Sequence, residues 1–446
     1  MKIKGKKLLL CMAAVIMIGG AKAQGTDAPV ATMDLTLKEA ISVALAENPT
    51  IKVTEKEIEL KKIADSEAWQ NLLPEASINM NLQHTILAAE MKLNDMTFKM
   101  GKDGVNTAVG AATLNMPLFA PAVYQTMKLT KQDVKLAQEK ARSSKLDLVN
   151  QVTKAYYQTL LAQDSYNVME QSYNISKQNF DVVNAKYGQG RVSEYDKISA
   201  EVQMRSLNSS LVSAKVGLSN AKLQLKVLMG VTANVDIKIN DKLENYESSL
   251  VLANVESSES ELQNNSALRQ LDLNESLLNR SLKIQHTNFM PTIAFQLTGQ
   301  YQSLYNDHWN VFDYSWSPSA SFAIAVSIPL FKASNFTKIK STKMQISQLQ
   351  DTRLNTKRQL GMAVQSYKDN MASSIAQVNS NREAVKQADK AVTIASKRYE
   401  VGRGTILELN QSEVALTQAH LTYNQSIYNY LTSKADLDYT LGRENF

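Results

Sequence analysis

The chain has 446 residues with only 8 prolines, 16 glycines and one cysteine, Cys11, which predicts long uninterrupted elements and excludes an internal disulfide framework. Its formal charge is +6, yet five lysines and no acid fall in residues 1–23, leaving 44 basic against 43 acidic side chains, a balance that removes the case for a nucleic-acid partner. No later apolar run reaches the about 20 residues that a membrane helix needs, so contact with a bilayer has to come from strands.

Residues 1–23 read as an export signal. Lys2, Lys4, Lys6 and Lys7 form the basic segment, Leu8 to Gly20 the apolar run, and Ala21-Lys22-Ala23 the small-x-small site, with cleavage before Gln24. Cys11 follows leucines where a lipoprotein signal requires a small residue, so it reads as part of the removed segment. Residues 24–34 are an N-terminal tail.

Two copies of one unit follow, 35–230 and 256–442, joined by a linker at 231–255. Lys186-Tyr187-Gly188-Gln189-Gly190-Arg191 matches Arg398-Tyr399-Glu400-Val401-Gly402-Arg403 at an offset of 212. That offset also pairs Glu201-Val202 with Glu413-Val414, Gly230 with Gly442, and Met116-Pro117-Leu118-Phe119 with Ile328-Pro329-Leu330-Phe331. Upstream the offset is 217, pairing Asn48 with Asn265 and Pro74 with Pro291. A register held over such a span marks a true repeat.

Each copy opens with a helix, about Leu35 to Leu73 and Glu256 to Met290. A β-hairpin region follows at 74–119 and 291–331, and Pro74, Pro117, Pro291 and Pro329 read as helix–strand borders, because proline lacks a donor and disfavours helix before it. A very long helix comes next, 120–186 and 332–398. A turn at 187–196 and 399–408 reverses the chain into a returning helix that ends at Gly230 and Gly442. The long helices carry an alternating three-and-four seam: Ala162, Tyr166, Met169, Tyr173, Ser176, Phe180, Val183 and Tyr187, then Val385, Ala388, Val392, Ala395 and Tyr399. That spacing is the coiled-coil pattern.

The strands bear on the compartment. Ile293, Phe295, Leu297 and Tyr301 alternate with Gln, Thr and Ala; Phe322, Ile324, Val326 and Ile328 with Ser and Ala; Ile78, Met80, Leu82 and Ile86 with Asn, Ser and Gln. Val105 to Asn115 alternates poorly. An uncharged polar face opposite an apolar one fits a wet lumen and a lipid surface, and also fits an ordinary soluble sheet. Export and the aromatic loop of Tyr301, Tyr305, Trp309, Phe312, Tyr314 and Trp316 favour the membrane, since Trp and Tyr collect at the headgroup layer. Four strands fall short of the about eight that a closed barrel needs, so several copies must pool them.

No catalytic constellation is present. His84, His286, His308 and His420 lack metal-ligand spacing, and there is no HExxH, P-loop, dinucleotide fingerprint or nucleophile elbow. No enzyme activity, cofactor or metal is expected. The competing reading is a periplasmic coiled-coil scaffold without a pore. It accounts for the helices but not for four alternating segments at repeat-matched positions.

The repeat, the proline-flanked hairpins, Tyr399-Glu-Val-Gly-Arg-Gly-Thr-Ile-Leu-Glu-Leu-Asn-Gln and Ser42-Val-Ala-Leu-Ala-Glu-Asn-Pro49 together resemble TolC-like outer-membrane efflux proteins. The resemblance implies a mainly α protein with membrane β. Three protomers would pool their strands into a twelve-stranded outer-membrane barrel continued by a periplasmic α-helical barrel. It implies a homotrimer in outer-membrane lipid, working with a periplasmic adaptor and an inner-membrane transporter of the RND or ABC type. Carried over by position, Tyr187, Gly190, Arg191, Gly402 and Arg403 belong to the periplasmic tip that docks the adaptor. Asp196 and Tyr399 would be the hydrogen-bonded pair of the closed tip, and Glu408 a carboxylate of the pore constriction. The second constriction carboxylate is Gln411 here, and the expected arginine is Gly404, with Arg403 beside it.

Overall fold

The computed structural model describes residues 32–93, 96–232, 234–250 and 261–444; the export signal with Cys11, most of the N-terminal tail and the end of the linker lie outside them. The described elements run β1 (Thr32–Asp34), α1 (Leu37–Glu47), α2 (Pro49–Gln70), β2 (Glu75–Thr85), β3 (Ala89–Leu93), β4 (Met96–Met100) and β5 (Val105–Phe119). Then come α3 (Pro121–Gly188), α4 (Glu194–Met229), β6 (Asp236–Lys238), α5 (Ser266–Thr287), β7 (Thr292–Asn306), β8 (Ser317–Ser327), α6 (Ala333–Glu400) and α7 (Ile406–Thr440). Short 3-10 helices at Leu243–Ser249 and Glu261–Asn264 flank the second copy.

The helix expected over 35–73 is two helices. Asn48 takes the extended backbone of an N-cap (φ −62°, ψ 125°), which the following proline also favours, and its side chain caps α2 by accepting from the Thr50 amide at 2.8 Å. Asn265, its repeat mate, takes the same conformation and accepts from the Leu268 amide at 3.1 Å. Each asparagine also ties its copy closed: Asn48 donates to the Leu228 carbonyl and Asn265 to that of Thr440, both at 2.8 Å. The returning helices end beside these points at Gly230 (φ 70°) and Gly442 (φ 66°). A Cβ at 230 would sit 2.9 Å from the Glu47 carbonyl oxygen, and one at 442 would collide with that of Asn264. Both glycines are therefore required by close backbone approach as well as by handedness.

The main core sits around these junctions. Tyr156 and Leu160 of α3, Leu225 and Met229 of α4, Ile427, Tyr430 and Leu437 of α7 pack with Ala40 and Ala44 of α1. Segments read as tail and linker contribute too: β1 pairs in parallel with β6, placing Ile237 in this core beside Leu243. Polar anchors hold that belt in place. Asp164 accepts from the Leu243 amide at 3.0 Å, and Glu247 accepts from Tyr423 at 2.8 Å while pairing with Arg382.

On one side of the belt four strands form an antiparallel sheet in the order β2-β5-β7-β8, and β3 pairs with β4 in a separate hairpin. Pro74 and Pro291 immediately precede β2 and β7, and Pro329 lies between β8 and α6. Pro117 is not a border. It lies inside β5 at a bulge, beyond the last β2 pair at Asn115, where the missing donor leaves no ladder bond broken on that side. From the sheet, α3 and α6 each run 68 residues, about 100 Å at 1.5 Å per residue, through the belt core at Tyr156 and Met371 and on to the far tip. The described helices include none long and apolar enough to cross a membrane.

Candidate functional site

Two regions carry function, the sheet and the far helical tip. The register sorts the sheet side chains into two faces. On one, Leu114, Leu297 and Phe322 lie across neighbouring strands, followed by Met116, Phe295 and Ile324. Ile78 and Met80 of β2 share this face with Ala112 and Gly110. Phe322 is 73% exposed and Met80 86%, an apolar surface that water disfavours and lipid accepts. The opposite face aligns Ser77, Thr113, Thr298 and Ser321, then Asn79, Ala111, Gln300 and Ser319. Ser77 and Thr113 hydroxyls are 2.8 Å apart. Glu75 is the one charge on this face, at the helix end of β2. β5 alternated poorly in sequence because Ala and Gly occupy its apolar-side positions 108, 110 and 112, with Val109 and Ala111 opposite.

The outer ends of β2 and β5 clasp the β7–β8 loop across the repeats. His84 stacks on Trp309 with centroids 5.0 Å apart, and its Nδ1 lies 2.8 Å from the Asn106 side-chain oxygen. Asn106 in turn donates to the His308 carbonyl at 2.7 Å, which also accepts from the Tyr314 hydroxyl. Of the six aromatics expected in the loop, Tyr301 and Tyr305 belong to β7; Tyr314 alone of the six is buried, and Phe312 is 96% exposed. The histidines thus fix the loops at the aromatic rim. Sequence spacing gave no sign of that contact.

At the tip, each turn closes its long helix on a left-handed glycine. Gly190 has φ 67° and Gly402 φ 72°, and the next residues' amides reach back, Arg191 to Lys186 at 2.9 Å and Arg403 to Arg398 at 2.8 Å. Helix α4 starts on a capping box: Ser193 accepts from the Asp196 amide, and the Asp196 carboxylate accepts from the Ser193 amide and hydroxyl. Helix α7 starts on half of one, Thr405 accepting from the Glu408 amide at 3.2 Å. The Glu408 carboxylate instead lies 3.6 Å from Arg398, both half-exposed. Gly404 stands where space for a side chain is tight. Even a Cβ there would sit 3.1 Å from the Arg398 Cβ and 3.2 Å from the Tyr399 amide.

Tyr187 and Tyr399 each carry a lysine over the ring, Lys197 at 5.0 Å and Lys186 at 5.2 Å. Because Lys186 ends α3 and Tyr399 ends α6, the second contact links the two coils. Beneath it lies a small core of Val183, Ala200, Ala395, Ile406 and Leu409. The Asp196–Tyr399 hydrogen bond is not formed in the single chain. The Tyr399 hydroxyl is buried without a partner, and the Asp196 carboxylate is engaged by Ser193. Burial first, then the nearby Asp196 charge, hold the Tyr399 phenol above its ordinary range. Arg191, Arg403 and Gln411 are exposed, Gln411 on a groove with Tyr195, Ile198, Val202, Leu407 and Val414. Sequence reasoning passed over Arg398, Lys186 and the buried Glu413. Ser193-x-x-Asp196 was readable as a cap.

Comparison with known proteins agrees in sequence and in fold. A family model described as outer membrane efflux protein matches residues 40–231 and 258–443. The outer membrane protein TolC of Escherichia coli K12 is 20% identical over 370 residues, 79% of this chain and 73% of that protein. TolC of Vibrio cholerae is 22% identical over 339 residues, 73% of this chain and 75% of that protein. The crystal structure of CusC superposes with a TM-score of 0.74 at 16% identity, covering 92% of both chains. The outer membrane protein VceC of Vibrio cholerae does so with a TM-score of 0.72 at 14% identity, covering 91% of this chain and 96% of that one. With the family model spanning both repeats, the chain belongs to the outer membrane efflux protein family.

Proposed function

We propose that the protein is one subunit of a passive trimeric duct, the outer-membrane exit of an efflux or secretion system, with no chemistry of its own. The observation that carries this is the four-stranded sheet, apolar on one face, polar on the other with Glu75 its one charge, and open at both β2 and β8. Backbone groups left unpaired in lipid cost several kcal/mol each, so the edges must meet those of other copies. Two copies would pool eight strands, whose interior side chains fill. Three copies give twelve, the ring that the resemblance to TolC-like proteins implies. The long helices extend that bore into the periplasm.

At the tip, Tyr187, Gly190, Arg191, Gly402 and Arg403 form the surface for a periplasmic adaptor, aided by the groove of about 430 Å3 beside Gln411. Energy and cargo choice come from an inner-membrane transporter of the RND or ABC type. Glu408 from three copies would set like charges around the bore, an arrangement that favours cations, while Arg398 at 3.6 Å tempers it. Tyr399 and Asp196 flank the constriction. Membrane extraction and bilayer recording test the reading together. A duct resists carbonate and urea and gives single-channel conductance; a coiled-coil scaffold washes off and conducts nothing.

A further inference from the structure

The seam between α3 and α7 joins the two coils, and it is polar where both neighbouring clusters are apolar. The Ser172 and Thr417 hydroxyls lie 2.7 Å apart, Ser176 is buried, and the Asn179 amide donates to Glu413 Oε1 at 2.5 Å. Glu413 is 8% exposed, and its second carboxylate oxygen is buried with no partner. The repeat shows what is missing. Glu201, the matching residue on α4, pairs with Arg205 at 2.7 Å; the residue matching Arg205 is Thr417, which is buried and donates to the Glu413 carbonyl. The second copy has therefore buried the carboxyl and dropped its counter-ion.

We propose that Glu413 is a proton-sensitive latch between the coils: neutral, it lets α7 lie against α3, and ionised, it forces water into that seam and loosens it. A buried carboxylate without a cation is strongly disfavoured, whereas the neutral form keeps the Asn179 hydrogen bond and leaves only one O–H without an acceptor, a smaller cost. The register of Asn179 with Glu413 and of Asn381 with Thr422 sets Lys177 and Asp181 of α3 and Lys386, Asp389 and Lys390 of α6 near this level; α7 itself carries Glu408 and His420, and α4 the repeat-matched Glu201 and Arg205. Among the described residues none of them makes an ion pair or hydrogen bond with Glu413.

Burial pushes the Glu413 carboxyl from 4.5 up to about 7, and the Asn179 hydrogen bond offsets this in part. The packed seam therefore holds a proton that the loosened seam releases. Its contribution is whole below the ordinary carboxyl range and is lost as pH rises through about 7. The packed-to-loosened ratio should fall on the order of a hundredfold across that window.

The experiment places spin labels at Gln178 and Gln418, both exposed, in the full chain and measures their separation across pH. The native residue should give one short distance in acid and a longer, broader distribution in alkali. Glu413→Gln should hold the acid distribution throughout. Asn179→Ala removes the donor that favours the ionised form, so it should move the transition to higher pH, and this variant serves if Glu413→Gln does not fold. A native distribution that ignores pH overturns the latch. So does a pH response that survives Glu413→Gln or an Asn179→Ala midpoint that stays in place. The seam lies within one chain, so the result is read independently of any pore.

Discussion

The two turns at the tip share a backbone but differ in what they satisfy. In the first, Ser193 and Asp196 complete a capping box and Glu201 has Arg205. In the second, Thr405 supplies half a cap, Tyr399 buries a hydroxyl without a partner, and Glu413 buries a carboxyl without a cation. Repetition preserved the geometry of helix, glycine and helix, while near the tip the buried unsatisfied side chains, Tyr399 and Glu413, both stand on the second copy. Buried polar groups without partners weaken local packing. On the latch proposed above, the α6–α7 coil is the one that shifts and the α3–α4 coil the one that holds.

Substitutions can break that comparison, starting where the copies are alike. Gly442→Ala forces a Cβ into the Asn264 carbonyl at a left-handed φ and should cost about 2–4 kcal/mol of unfolding free energy. Gly190→Ala has the same handedness but open space and should cost about 1 kcal/mol; denaturant melts that rank the two equally would refute the close-approach argument. Ser193→Ala should cost about 1 kcal/mol and Thr405→Ala about half of that, because only the first cap is reciprocal. Equal losses would remove the asymmetry between the turns.

Smaller effects test the constriction. Glu408→Gln should lower cation preference in single-channel recordings, and Arg398→Ala should raise it, each with little change in stability since the pair is exposed. Selectivity unchanged in both variants would take Glu408 out of the bore. Tyr399→Phe removes an unpartnered hydroxyl and should shift stability by less than about 0.5 kcal/mol. A loss of more than that would mean Asp196 does accept its hydrogen bond in the assembly.

Much of this architecture was legible because the repeat states it twice. Tyr-x-x-Gly turns, proline-flanked hairpins and the matched Asn48 and Asn265 each have a local cause that a sequence displays: handedness, a missing donor, a cap. What was hidden depends on which neighbour arrives. β5 gave little alternation, as small residues sit on both its faces. The segments holding β1 and β6 read as tail and linker, because a three-residue strand gains its meaning from a partner two hundred positions away. The same holds at the tip. Glycine positions were readable, whereas the burial of Glu413 and the freedom of the Tyr399 hydroxyl follow from how the coils meet.

Joining of the sheet edges is the claim on which the duct rests, and cysteine cross-linking tests it directly because Cys11 is the only cysteine in the sequence. Cysteines placed along β2 from Ala76 to Asn79 and along β8 from Ser319 to Ala323 stand on opposite edges of one sheet, three strand spacings or about 14 Å apart, too far for a disulfide within a chain. Oxidation in native membranes should yield a covalent species of three chains at one register of the scan. A chain that stays monomeric at every register, while remaining folded in the membrane, would contradict the account.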